Sequence, residues 1–440
     1  MKNKQLLTTS LLFFLTAGVI LSQTSGSELN LTLKEAQDYA LQNNKIVKSA
    51  KLTIEASQAD VWTTISSGLP QVSANASLTD NLKLGVFVMT MNGSTVIITM
   101  GRPYNIPVTL QASMPLFNAP YYVGVETVKL AKKLSESNLQ STEIDTRQSV
   151  ASAYYLILVS EESLKILKEN LANLRETLKS TKAMYNSGIA EATDVDQMAS
   201  NVTMVENSFS NLQSNIEINY NLMRFQLGVK PDTKIVLTET LDNLVKEINI
   251  NTLLLQDFNA SASIQFDLVN KQEQMSALNL KAQKAKVLPS LSGFYSASTS
   301  GMGIKLSEMS WYPSSYLGLQ LSVPIFASGQ RYFSIQKAKI DLEKSRNTKE
   351  MVSDQLSMQE KQLRYNLSNA NLQYISQKAN VEVSKRVYTS MENKYKQGVA
   401  SSLDLTQANS LFLQAENNYI SALMNLLQTK LSLDKLLNNL

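Results

Sequence analysis

The chain is written twice. Tyr185-Asn-Ser-Gly188-Ile189-Ala-Glu-Ala-Thr-Asp194-Val-Asp-Gln197 recurs as Tyr395-Lys-Gln-Gly398-Val399-Ala-Ser-Ser-Leu-Asp404-Leu-Thr-Gln407. The tyrosines, glycines, aspartates and glutamines all match at one offset of 210 positions. In each copy a glycine ends one helical pattern and an aspartate falls in the first turn of the next, which makes a helix–turn–helix tip. Two such tips mean an internal duplication, and each half must be something to which a tip can be attached.

Proline placement divides the halves. The nine prolines stand at 70, 103, 107, 115, 120, 231, 289, 313 and 324. A proline inside a helix costs ~3 kcal/mol, so the long proline-free tracts are free to be helices. The proline-bearing islands must be something else. The first tract opens on a capping box, Thr32 with Glu35, and is expected to run as one helix to about Ser67, before Gly68 and Pro70.

In the islands the period changes to two. Val72, Ala74, Ala76 and Leu78 alternate with Ser73, Asn75, Ser77 and Thr79. Beyond a loop, Ile106, Val108, Leu110, Ala112 and Met114 alternate with Asn105, Pro107, Thr109, Gln111 and Ser113. That is a β-hairpin over 69–117 with one apolar and one polar face. A second hairpin over 288–326 repeats it. Leu288-Pro289 echoes Leu69-Pro70, Leu317, Leu319 and Leu321 alternate with Gly318, Gln320 and Ser322, and Val323-Pro324-Ile325-Phe326 echoes Met114-Pro115-Leu116-Phe117. The polar face carries Ser, Asn, Thr and Gln with almost no charge. Small uncharged residues suit a water-filled lumen and an apolar outer face suits lipid. A soluble β-domain with one wet face is the alternative these residues leave open.

Each hairpin leads into a long helix, 121–185 and 331–395. Ile157, Leu164, Leu171, Leu178 and Tyr185 recur every seven residues, as do Leu367, Tyr374, Val381, Tyr388 and Tyr395. A sustained seven-residue repeat is a coiled-coil seam. At 1.5 Å per residue such helices reach roughly 100 Å. Shorter helices return from the tips, over 193–227 and 402–437, and 229–262 reads as an irregular connection. Four strands per chain cannot close a barrel, and an open edge is not tolerated in lipid. A membrane barrel must therefore be shared between chains; three chains would supply about twelve strands, within the range of outer-membrane barrels.

Composition narrows the function. With no Cys and no His, disulfides, thiol nucleophiles, Ser-His triads and most transition-metal sites are excluded together. Residues 1–22 read as a secretory signal peptide, with Lys2 and Lys4 before a short apolar run; an N-terminal anchor is the competing reading. Removing it lowers the net charge from +4 to about +2, which offers no basic patch for nucleic acid. No enzyme is expected, and no cofactor.

The Leu31-Thr-Leu-Lys-Glu-Ala36 start, the Leu-Pro strand entries, the Pro-hydrophobic-Phe strand exits and the paired tips together resemble the TolC-type outer membrane efflux family over nearly the whole mature chain. The resemblance implies a mainly α trimer. In it a 12-stranded transmembrane β-barrel, four strands per chain, continues as a long α-helical coiled-coil barrel across the periplasm. Its units here would be a first repeat over 23–228 with its tip at 185–197, an equatorial connection over 229–262, and a second repeat over 263–440 with its tip at 395–407. The implied function is a passive outer-membrane exit duct of a tripartite efflux or type I secretion system. Its partners would be outer-membrane lipid, a periplasmic adaptor and an inner-membrane pump of RND, ABC or MFS type. The alternative is a non-conducting trimeric coiled-coil protein of the envelope, structural or adhesive.

Carried over to this sequence, Asp404 and Asp194 would line the periplasmic entrance. Gln407 stands where the family often has a second acid. Both aspartates also fit plain helix capping, which is compatible with a gate. Gly188-Ile189 and Gly398-Val399 match the tip motifs that dock the adaptor, and they equally fit helix-ending glycines with a hydrophobic contact behind them. Phe117, Tyr121, Tyr122, Trp311, Tyr312 and Phe326 flank the strands as an interfacial aromatic belt or as packing at the barrel–helix junction.

Overall fold

The computed structural model describes residues 28–440 apart from Asn92 and Ile248, so the signal-peptide expectation for 1–22 lies outside the described residues. The chain runs β1 (Leu29–Leu31), α1 (Leu33–Asn43), α2 (Lys45–Ser66), β2 (Gln71–Ala76), β3 (Thr79–Asp80), β4 (Gly85–Met91), β5 (Ser94–Met100), β6 (Tyr104–Asn118), α3 (Ala119–Asn186) and α4 (Ala192–Leu227). It continues β7 (Ile235–Leu237), α5 (Leu241–Glu247), α6 (Ile250–Leu255), a 3-10 turn (Ala260–Ala262), α7 (Ile264–Ala285), β8 (Ser290–Gly303), β9 (Met309–Ser322), α8 (Gln330–Lys396) and α9 (Ser402–Leu436). The duplication is plain in the lengths, 68 and 67 residues for α3 and α8, and 36 and 35 for α4 and α9.

The main sheet has the order β2-β6-β8-β9, with β3 continuing β2 along β6. All its pairings are antiparallel, and register keeps like with like. Val72, Ala74 and Ala76 face Ala112, Leu110 and Val108, while Ser73 and Asn75 face Gln111 and Thr109. A shift of one residue would mix the faces, so the alternation fixes the register. On the polar face Ser300 Oγ donates to Asn105 Oδ1 at 3.1 Å, and the Ser298 and Ser314 hydroxyls lie 2.9 Å apart. Among the described residues of the single chain, two edges, β2 and β9, remain open.

The structure departs from the sequence reading in several places. The stretch 229–262, expected to be irregular, holds β7, α5 and α6, and the strand expected through Ile325 ends at Ser322. Two further departures shape the fold. The expected single helix over 32–67 is broken at Asn44, whose backbone is extended at ψ 132°. Asn44 caps α2 by accepting from Ile46 N at 2.7 Å and donates to Gln226 O at 2.7 Å, so the end of α4 sets the break. Gly228, at φ +71°, lies so close that a Cβ there would stand 2.5 Å from Asn43 O. Second, the loop between β3 and β6 contains a hairpin of its own, β4–β5. Both of its faces are largely apolar and exposed, so it shows no period-two alternation by which to recognise it.

The largest core sits at mid-length, where α1, α3, α4 and α9 meet. It buries Tyr154, Ile157, Met223, Leu227, Leu423 and Leu427. The parallel pair β1–β7 is stitched to it by Tyr154, whose hydroxyl donates to Leu31 O at 3.1 Å and accepts from Glu239 N at 3.3 Å. Among the described residues no helix is long and apolar enough to cross a membrane.

Candidate functional site

At the end of the helices remote from the sheet, each turn is built in the same way. Gly188 at φ +76° and Gly398 at φ +72° take the left-handed conformation that ends α3 and α8. Ile189 N donates to Met184 O at 2.9 Å and Val399 N to Lys394 O at 2.9 Å, which satisfies orphan carbonyls of the helix ends. The hydrophobic residue after such a glycine commonly folds back on its helix. Here Ile189 and Val399 are 73% and 74% exposed, so both tips present an apolar side chain outward.

Asp404 is in a capping box. Its carboxylate accepts from Ser401 N at 3.1 Å and Ser401 Oγ at 2.7 Å, while Asp404 N donates to Ser401 Oγ at 3.1 Å. These Ser401 hydrogen bonds hold the carboxyl below the usual aspartate range. Gln407 is exposed one turn further on. Asp194 differs. It accepts from Glu191 N at 3.0 Å, and its other oxygen takes the Ser402 hydroxyl from the opposite tip. The two turns are thus tied within one chain by Asp194 and Ser402, a contact between residues 208 positions apart that sequence spacing alone does not indicate.

Behind the tips lies a small core of Met198, Tyr388, Tyr395, Leu405, Ala408 and Phe412, with Tyr388 stacked on Phe412 at 5.7 Å. The duplicated tyrosines have diverged in role. Tyr395 is buried with its hydroxyl 2.8 Å from Thr181 Oγ1, whereas Tyr185 is exposed. Higher on α9, Glu416 is only 8% exposed and faces a cavity of about 240 Å³ between α3, α4 and α9. Burial pushes its carboxyl up to about 7, with Lys385 opposing and Glu162 and Glu169 adding to the rise.

The aromatic residues fall at both ends of the sheet. Phe117, Tyr121, Tyr122 and Phe326 lie at the helix end and Trp311 and Tyr312 near the other. Tyr121 belongs to the junction, since its hydroxyl donates to Ile65 O at 3.1 Å and its ring fills the space beside Gly68. Trp311 lies across from Gly301 on the apolar face, which puts its neighbour Tyr312 on the polar face. The two therefore do not share one surface.

The sequence model of the outer membrane efflux proteins matches residues 37–229 and 269–439, most of both halves. The chain belongs to the outer membrane efflux protein family. Toxin and drug export protein A of Aggregatibacter actinomycetemcomitans is 21% identical over 402 residues, 89% of this chain and 84% of that protein. The fold is that of solved outer-membrane channels. The outer membrane protein VceC of Vibrio cholerae superposes with TM-score 0.71 at 14% identity, over 92% of this chain and 95% of its own. The open-state MtrE outer membrane channel of Neisseria gonorrhoeae gives 0.71 at 18% identity, over 92% and 88%. As an outer membrane efflux protein, the chain is a channel component rather than a member of an enzyme family. It resides in the outer membrane with its helices extending into the periplasm.

Proposed function

We propose that three copies of this outer membrane efflux protein close one continuous duct. The observation that carries this is the four-stranded sheet with its matched apolar face and two open edges. In lipid those edges must be paired, and β9 of one copy against β2 of the next does so. The helices support the same reading. α8 leaves Met351, Met358, Tyr365 and Leu372 exposed in a strict seven-residue row, a coiled-coil seam with no partner among the described residues. α4 leaves Ile218, Leu222 and Phe225 exposed on one face.

The tips form the periplasmic entrance. A threefold ring of Asp404 carboxylates favours cations there. The Asp194–Ser402 tie holds the turns in the resting arrangement. Ile189 and Val399 offer an apolar docking point for a periplasmic adaptor, through which an inner-membrane pump biases opening. The duct itself makes and breaks no bonds. Single-channel recording in a planar bilayer tests this. The wild type conducts with a preference for cations, and Asp404→Asn weakens that preference while conduction persists. A channel whose ion preference is unchanged by Asp404→Asn would remove Asp404 from the entrance, and a purified trimer that never conducts would remove the duct.

A further inference from the structure

We propose that the apolar face of the barrel sheet holds one phospholipid acyl chain from the periplasmic leaflet. Register places Met114, Gly293 and Leu319 in one row across β6, β8 and β9, so the middle of the row has no side chain. The next row along the strands, with Tyr295 and Leu317, raises a wall on one side. On the other side a bulge between Pro115 and Phe117 adds Leu116. A Cβ placed on Gly293 would stand 3.5 Å from Leu116 Cδ1 and 3.7 Å from Leu319 Cδ2. The result is an open depression of about 740 Å³ on the sheet face with no charged side chain in its lining. Gly293 is not among the glycines with positive φ, so its backbone does not require glycine. What the position uses is the missing side chain.

The location selects the occupant. Gly293 lies three residues into β8, which starts at Ser290 beside the end of α7. At ~3.3 Å per residue that is roughly 10 Å from the periplasmic end of the strand. The face carrying the cavity is the apolar one, which in an outer-membrane protein meets lipid. Lipid tails are as apolar as leucine, so transfer from water supplies no preference for one tail over another. Shape supplies it: a tail seated in the dent gains dispersion contacts on several sides that a tail on a flat wall lacks. Lipids on the flat wall exchange, and the seated one is retained. The inference needs only the outer-membrane location and holds whatever the number of chains in the assembly.

The full-length protein, extracted from membranes of phosphatidylethanolamine and phosphatidylglycerol and washed in lipid-free detergent, is examined by native mass spectrometry. The wild type keeps one phospholipid per chain. Gly293→Leu fills the dent and lowers that retention several-fold, while Val108→Leu, on the same face outside the cavity, leaves it unchanged. If Gly293→Leu does not assemble, Met114→Trp fills the same space from β6 and is read in the same way. Equal retention in the filled variant and the wild type overturns the proposal, as does a wild type that washes free of phospholipid or keeps only detergent.

Discussion

Glu416 shows how one buried carboxyl ties the helical barrel to pH. Its folded pKa of about 7 lies above the ordinary value of 4.5, so the charged form is the costly one. Below about 4.5 the group is neutral in both folded and unfolded chains and costs nothing. As pH rises from there to about 7 the cost grows, and above that it is fully present, on the order of 3 kcal/mol. Glu416→Gln should therefore raise the melting temperature at pH 8 and leave it unchanged near pH 4. An equal rise at both values would contradict burial as the cause. Glycine marks a second residue-scale effect. Gly188 and Gly398 have left-handed backbones with nothing within 4 Å, so alanine there costs only strain, ~1 kcal/mol. Gly228 has the same backbone and a wall 2.5 Å from any Cβ, so Gly228→Ala should lower thermal stability markedly more than Gly188→Ala. Thermal unfolding of the two variants side by side decides it.

The helices and strands were readable in the sequence because each obeys one clean rule. Proline-free tracts with a seven-residue repeat became α3 and α8, and alternating stretches around Pro70, Pro115, Pro289 and Pro324 became the sheet. Two of the failures have a common physical origin. The break at Asn44 depends on the carbonyl of Gln226, and the bond between Asp194 and Ser402 depends on two tips meeting, both through contacts far apart in the chain. The β4–β5 hairpin lacks the alternation on which strand recognition relies, because it has no wet face in its sequence. Two predictions belong at this scale. Ser402→Ala removes the tie between α4 and α9, worth ~1 kcal/mol, and should raise the open fraction of the channel severalfold in bilayer recordings. Tyr365→Glu puts a charge in the exposed seam of α8 and should shift the detergent-extracted protein towards single chains on size-exclusion chromatography. A channel with unaltered gating, or a variant of unaltered size, would contradict the respective role.

For the whole molecule, a chain of this shape makes sense only as part of something larger. α8 runs for 67 residues and buries six of them, and the sheet offers two unpaired edges. A soluble monomer would have to expose both to water, and a membrane-bound monomer would leave backbone groups unpaired in lipid. The three proposed copies would resolve the edges, the seam and the polar face together, with Ser, Asn, Thr and Gln turned to an inner column of water. The most direct measurement is the mass of the detergent-extracted particle by native mass spectrometry. A mass of three chains, retained in mild detergent and lost only on unfolding, is the predicted result. A folded single chain, or a stable pair, would contradict it.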